Sequence, residues 1–207
     1  MELLERVKEI AKGAALMTQT KVKTKILAGV SNLLYNETLG NIMQGNLDQL
    51  GAPEFSKEEH LYAKKYQDTL TRKDIESAYS HAGIELVEGQ VLAETVVSGD
   101  VKPVDMGGST DVADVSWVVP TVSLWGANYA IGTPFHSWQM TAQGKSSIAI
   151  KGMTHAAMVM AATGFDLMSN KTILDDAWSE HKKTVEKEGY MLPISLSADR
   201  KSTRLNS

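Results

Sequence analysis

Leu3, Leu4, Val7, Ile10, Ala11, Ala14 and Ala15 recur at helical spacing. The chain therefore opens on an amphipathic helix to about Met17, with Glu2, Glu5, Lys8 and Glu9 on its wet side. From Thr20 to Val30 the period changes. Val22, Thr24 and Ile26, then Leu27, sit among alternating lysines, which predicts a strand with one face in water. Asn36, Glu37 and Thr38 start a helix carrying Leu39, Ile42, Met43, Leu47 and Leu50, closed by Gly51. Ser56 followed three residues later by Glu59 is a capping-box pattern, and its helix runs to about Thr69. A shorter helix is expected around Asp74 to His81, ended by Gly83. Residues 84–106 read as extended segments and loops, with Pro103 as punctuation. Val112 to Val118 form a short helix capped by Asp111 and stopped before Pro120, and the stretch TVSLWGA (121–127) reads as a buried strand. Gly144 to Met168 is a long apolar helix rich in small residues. Asn170 to Lys187 is a last helix with Leu174, Trp178, His181 and Val185 on one stripe. Strands alternating with helices predict an α/β fold, and no internal repeat is visible.

Composition narrows the class. A length of 207 residues allows one to two domains, and 43% hydrophobic content is enough for a core. The net charge is −4 with acids and bases interspersed. Without a basic stripe, nucleic acid is not an expected partner. The chain has no cysteine, which excludes disulfides, thiolate nucleophiles and thiolate metal ligands and fits a reducing compartment. No apolar run of about 18 residues and no leader pattern is present, so a cytoplasmic protein without membrane contact is expected. The start enters a helix without a cap, which suggests an incomplete protein. The end, DRKSTRLNS (199–207), is polar and aperiodic and matches one frame of a sequencing-adapter DNA. It is read as a non-native tail without function.

Candidate chemistry concentrates between Met106 and Gln139. Gly107 and Gly108 allow close approach of a ligand to the backbone. Ser109, Thr110 and Asp111 add polar groups at a helix start, where N–H groups favour an anion such as a carboxylate. A tight turn with an ordinary N-cap explains the same residues. His136, after Gly132 and Pro134 and before Ser137, is a lone loop histidine. It suits a zinc ligand or an acid–base group, but a catalytic zinc needs about three protein ligands. The other histidines form no ligand motif: His155 and His181 fall among apolar positions, and His60 and His81 read as surface. Glu58 and Glu59 resemble a base-and-ligand pair, but their place in the first turn of a helix favours capping and dipole roles. The four tryptophans and Tyr129 offer either an aromatic substrate wall or core.

The wording GGSTDVADVSWVVPT, then GTPFHSWQ, then GKS and KGM, resembles the M20 family of zinc amidohydrolases and peptidases, in particular its p-aminobenzoyl-glutamate hydrolase branch. The likeness covers about Met1 to Ile194. It implies the C-terminal part of a zinc-exopeptidase-like, mixed-sheet catalytic domain at 36–198. It also implies the last helix and strand of an α+β lid, or dimerisation, domain at 1–35. By this resemblance His136 matches the family's last metal ligand, and Gly108, Ser109, Thr110 and Asp111 match the loop facing the substrate's carboxylate. The remaining metal ligands, the bridging acid and the glutamate base fall upstream of Met1 in the family's order. The resemblance implies two zinc ions in the full-length enzyme, with manganese or another divalent metal as the alternative. It implies hydrolysis of an N-acyl or N-aroyl amino acid or a dipeptide, and a homodimer or a pairing with a homologous subunit. The chain alone is expected to be inactive. The rival reading is a non-catalytic carboxylate- or peptide-binding or assembly module.

Overall fold

A computed structural model describes residues 2–101, 108 and 110–190. The described residues separate into two units, residues 2–31 and residues 32–190.

In the first unit, α1 (Glu2–Met17) is the helix that the opening period predicts. Exposed pairs Arg6–Glu2, Lys8–Glu5 and Lys12–Glu9 lie three or four residues apart along it, each adding a few tenths of a kcal/mol. No residue of α1 is buried, and Leu3, Val7 and Ile10 stand in solvent. The residues after it, 20–31, form neither helix nor strand.

The second unit begins with α2 (Glu37–Leu50), capped by Asn36, whose side-chain oxygen accepts from the Leu39 N–H at 3.0 Å. Its remaining free N–H groups meet a carboxylate from the far end of the chain. Glu180 accepts from Glu37 N at 2.6 Å, Thr38 N at 2.9 Å and Thr38 Oγ1 at 2.7 Å. Burial alone would raise the Glu180 pKa, but these donors outweigh it and hold it below the usual carboxylate range. The capping box at Ser56 starts α3 (Lys57–Gln67) as expected. A second box, Thr71 with Asp74, starts α4 (Arg72–Ala82), so Asp74 lies in the first turn and not at its beginning. Gly83 ends α4 in the left-handed conformation. The helix α5 (Val112–Ser116) is short. A helix that no sequence period announces, α6 (Trp138–Gln143), follows Ser137, whose hydroxyl caps it. The two long helices α7 (Ser147–Ser169) and α8 (Lys171–Glu188) share Asn170 as C-cap and N-cap. Helices α2, α7 and α8 pack together. Asn46 on α2 donates to Asp166 on α7 at 2.7 Å. A second nucleus gathers Ala63, Val91, Leu92, Ala130 and Ile148, with Phe55, Tyr62 and Tyr66 against it.

The α/β expectation, and with it the mixed-sheet catalytic domain and the lid strand, is corrected: the described residues contain helices and no strand. The alternation at Val22, Thr24 and Ile26 satisfies a strand's side-chain period, but a strand persists only where a neighbour completes its hydrogen-bond ladder. None does so among the described residues, and Val22 and Ile26 are about half exposed. At the end of the stretch 121–127, Gly126 and Ala127 approach α7 instead of joining a ladder. The Ala127 carbonyl oxygen stands where a Cβ on Gly152 would have to go.

Candidate functional site

The loop from Asn128 to His136 is held by a buried glutamine. Gln143 is 1% exposed. It accepts from Ala130 N at 2.8 Å and donates to Thr133 Oγ1 at 3.1 Å. Thr133 Oγ1 in turn donates to the Ala130 carbonyl at 2.7 Å. Ile131 N donates to Val91 O at 2.9 Å, and Gln67 Nε2 reaches Ile131 O at 3.3 Å and Gln90 O at 3.0 Å. At Gly132 the backbone takes φ +90°, and a Cβ there would stand 3.0 Å from Ile75 Cα, so glycine is required on both counts.

This loop ends on His136, one of two non-glycine residues with positive φ among the described residues, at 58°. Such a backbone costs a β-carbon-bearing residue of order 1 kcal/mol, and strain of this kind clusters at functional sites. Two bonds of Ser137 fix the next turn of chain. Its hydroxyl donates to Pro134 O at 2.7 Å and accepts from Met140 N at 3.2 Å. The imidazole is therefore carried into solvent by a backbone pinned on both sides.

Aromatic residues flank it in the chain. Phe135 meets Trp125 at 6.0 Å and Tyr129 at 6.2 Å, both edge to face. Trp125 is 63% exposed and Phe135 50%. Tyr129 is more enclosed, and burial pushes its phenol pKa up. The tryptophans divide between the two roles left open for them. Trp117 is core, its indole N–H donating to Asn32 O at 2.9 Å, whereas Trp125 and Trp138 are exposed.

The polar turn is reached only in part. Ser109, like Gly107, lies outside the described residues. Gly108 is exposed, and nothing lies within 4 Å of where its Cβ would stand. Thr110 Oγ1 accepts from Val112 N at 3.3 Å. Asp111 occupies the N-cap position of α5 but makes no side-chain cap bond there. Its carboxylate is exposed. Among the described residues no hydrogen bond links His136 to Gly108, Thr110 or Asp111.

The remaining candidates are structural. His181 is buried with Nε2 2.9 Å from Ser116 O, and His155 Nε2 lies 2.6 Å from Gly51 O. Glu59 closes the capping box and pairs with Lys151 of α7 at 2.7 Å. It is more enclosed than a first-turn glutamate normally is. Burial works to raise its pKa, but hydrogen bonds from Lys151, Ser56 N–H and Ser147 overcome this and hold it at about 2. A carboxylate so stabilised in its ionised form is a poor proton acceptor, which removes it as a general base.

Among the described residues no group of three or more His, Asp or Glu side chains could hold a metal ion. His136 supplies at most one ligand, so these residues do not by themselves fit a catalytic zinc. Nor is any helix of the described residues long and apolar enough to cross a membrane.

No protein-family model and no solved structure matches the chain. It is homologous to a subunit of the p-aminobenzoyl-glutamate hydrolase of Escherichia coli (strain K12). The two are 39% identical over 202 residues, 93% of this chain. The match takes in only 42% of that relative's length, so the chain spans less than half of it. The likeness carried by GGSTDVADVSWVVPT and GTPFHSWQ thus extends across nearly the whole chain.

Proposed function

From this homology, we propose that the chain is part of a hydrolase that cleaves the amide bond of N-acyl or N-aroyl amino acids, p-aminobenzoyl-glutamate or a compound like it first among them. The carrying observation is 39% identity to a protein named for that hydrolysis. Identity at this level over a stretch this long goes with a shared fold, and the site residues lie inside the stretch. In this reading His136 is one metal ligand, held out by the Gln143-anchored loop. Gly108, Ser109, Thr110 and Asp111 face the carboxylate end of the substrate. The other ligands, the base and a second homologous subunit lie beyond these residues, and the enzyme works in the cytoplasm. The metal is a divalent ion, zinc first, and the described residues do not form its whole site.

One observation favours a second reading, a non-catalytic carboxylate-binding or assembly module: the described residues lack a metal-binding cluster. A graft separates the two. The stretch of the Escherichia coli subunit that matches this chain is replaced by this chain, and the hybrid is produced with its partner subunit. Chelator-sensitive hydrolysis of p-aminobenzoyl-glutamate by the hybrid, and none by the isolated chain, is the expected result. A hybrid that folds and assembles like its parent but does not hydrolyse supports the module. Activity in the isolated chain contradicts the division of the site.

A further inference from the structure

Phe135, the residue before His136, belongs to a group of rings that leave much of their surface in solvent. Trp125 and Phe135 are 63% and 50% exposed, yet each is in edge-to-face contact within one three-ring group, with Tyr129 as its enclosed member. Exposed rings are ordinarily scattered singly; a contiguous group marks a binding surface. The group is also fixed in advance. The backbone between Tyr129 and Phe135 is tied down by Gln143, by the Ile131–Val91 bond and by Gly132 against Ile75. A surface that is ordered before its ligand arrives loses little entropy on binding, which suits a small rigid partner. Phe135 immediately precedes His136 in the chain, and both residues are exposed.

We propose that Trp125, Tyr129 and Phe135 form the wall that takes the aromatic acyl group of an N-aroyl amino acid, with His136 at its rim. This rests on the reading of the chain as part of an N-aroyl amino acid hydrolase and adds which residues select the aroyl side. The chemistry favours a flat ring: the exposed rings offer π faces and edges, and each aromatic contact gains about 0.5–1.5 kcal/mol beyond area burial. An N-acyl substrate without a ring gains none of this.

The test is saturation-transfer NMR on the 207-residue chain with millimolar p-aminobenzoyl-glutamate, and with N-acetylglutamate as the ringless arm. The expected result is saturation concentrated on the aryl protons of p-aminobenzoyl-glutamate and none on N-acetylglutamate. Trp125→Ala and Phe135→Ala each raise the apparent Kd about fivefold, the equivalent of one lost aromatic contact. Both side chains are exposed, so the fold is retained, which circular dichroism checks. No transfer to the aryl protons, as expected if these rings serve a protein contact, overturns the proposal. So does equal transfer in the variants, or equal transfer to both ligands. The hybrid's hydrolysis is a separate measurement, so aryl binding lost in a working hydrolase counts against the wall and not against the hydrolase.

Discussion

His136 joins a strained backbone to an exposed side chain, and the two facts predict different effects of two substitutions. Its ring makes no hydrogen bond with the described residues, so His136→Ala should leave thermal stability unchanged. His136→Gly should raise it by about 0.5–1 kcal/mol through relief of the positive φ. Thermal denaturation of the isolated chain checks both. Glu59 is the opposite kind of residue. Its folded pKa, about 2, lies below its ordinary value of 4.5. The stabilisation it gives is therefore fully present above pH 4.5 and is lost as pH falls through about 2. Glu59→Gln should cost about 1–2 kcal/mol at neutral pH, the scale of a helix cap and a half-exposed ion pair. It should also flatten the acid limb of the stability profile between those two values, as read by urea denaturation at a series of pH values. At Gly152 an added methyl meets the Ala127 carbonyl, which is backbone and cannot swing aside. Gly152→Ala should destabilise by about 1–3 kcal/mol, whereas Gly164→Ala, with nothing within 4 Å, should be tolerated. The capping role of Glu59 was legible from Ser56 alone. Its partner Lys151 was not, because 92 residues of chain separate them and no local period announces such a pair.

Among elements, what the sequence made legible was whatever is decided locally. Asn36, Ser56 and Gly83 terminate helices through bonds to residues within a few positions, and the structure places those ends where the residues predict them. The strands fail for the complementary reason. Val22 and Ile26 alternate correctly, but the ladder partner that would make them a strand is a non-local property. Helix α6 was missed because six residues are too few to show a period, although Ser137 gave its cap signal. Gln143 was missed because no local pattern marks a glutamine as buried, while in the fold it is the peg of the loop. That role is testable. Gln143→Leu keeps the volume but strands the Ala130 N–H, and should cost about 1–3 kcal/mol. The same substitution should release the loop, seen as faster amide exchange at Ala130 and Ile131. Unchanged exchange at these two amides would remove Gln143 as the anchor.

At the scale of the molecule, the residue pattern pointed to the correct relative while misjudging the fold class. Motif wording such as GTPFHSWQ records ancestry directly, whereas the sheet it was expected to join depends on contacts that the described residues do not contain. The first unit shows the consequence: α1 leaves Leu3, Val7 and Ile10 in water and has no buried residue. The isolated chain should therefore self-associate as its concentration rises, and a Val7→Glu, Ile10→Lys variant should reduce this in sedimentation experiments. On the proposed function, this chain supplies one ligand-bearing wall of an amide hydrolase. The most direct test is the hybrid subunit carrying His136→Ala, with bound divalent metal and p-aminobenzoyl-glutamate hydrolysis measured side by side. The substitution should sharply lower both in a hybrid that still assembles. Full metal content and full hydrolysis without this imidazole would contradict that proposal.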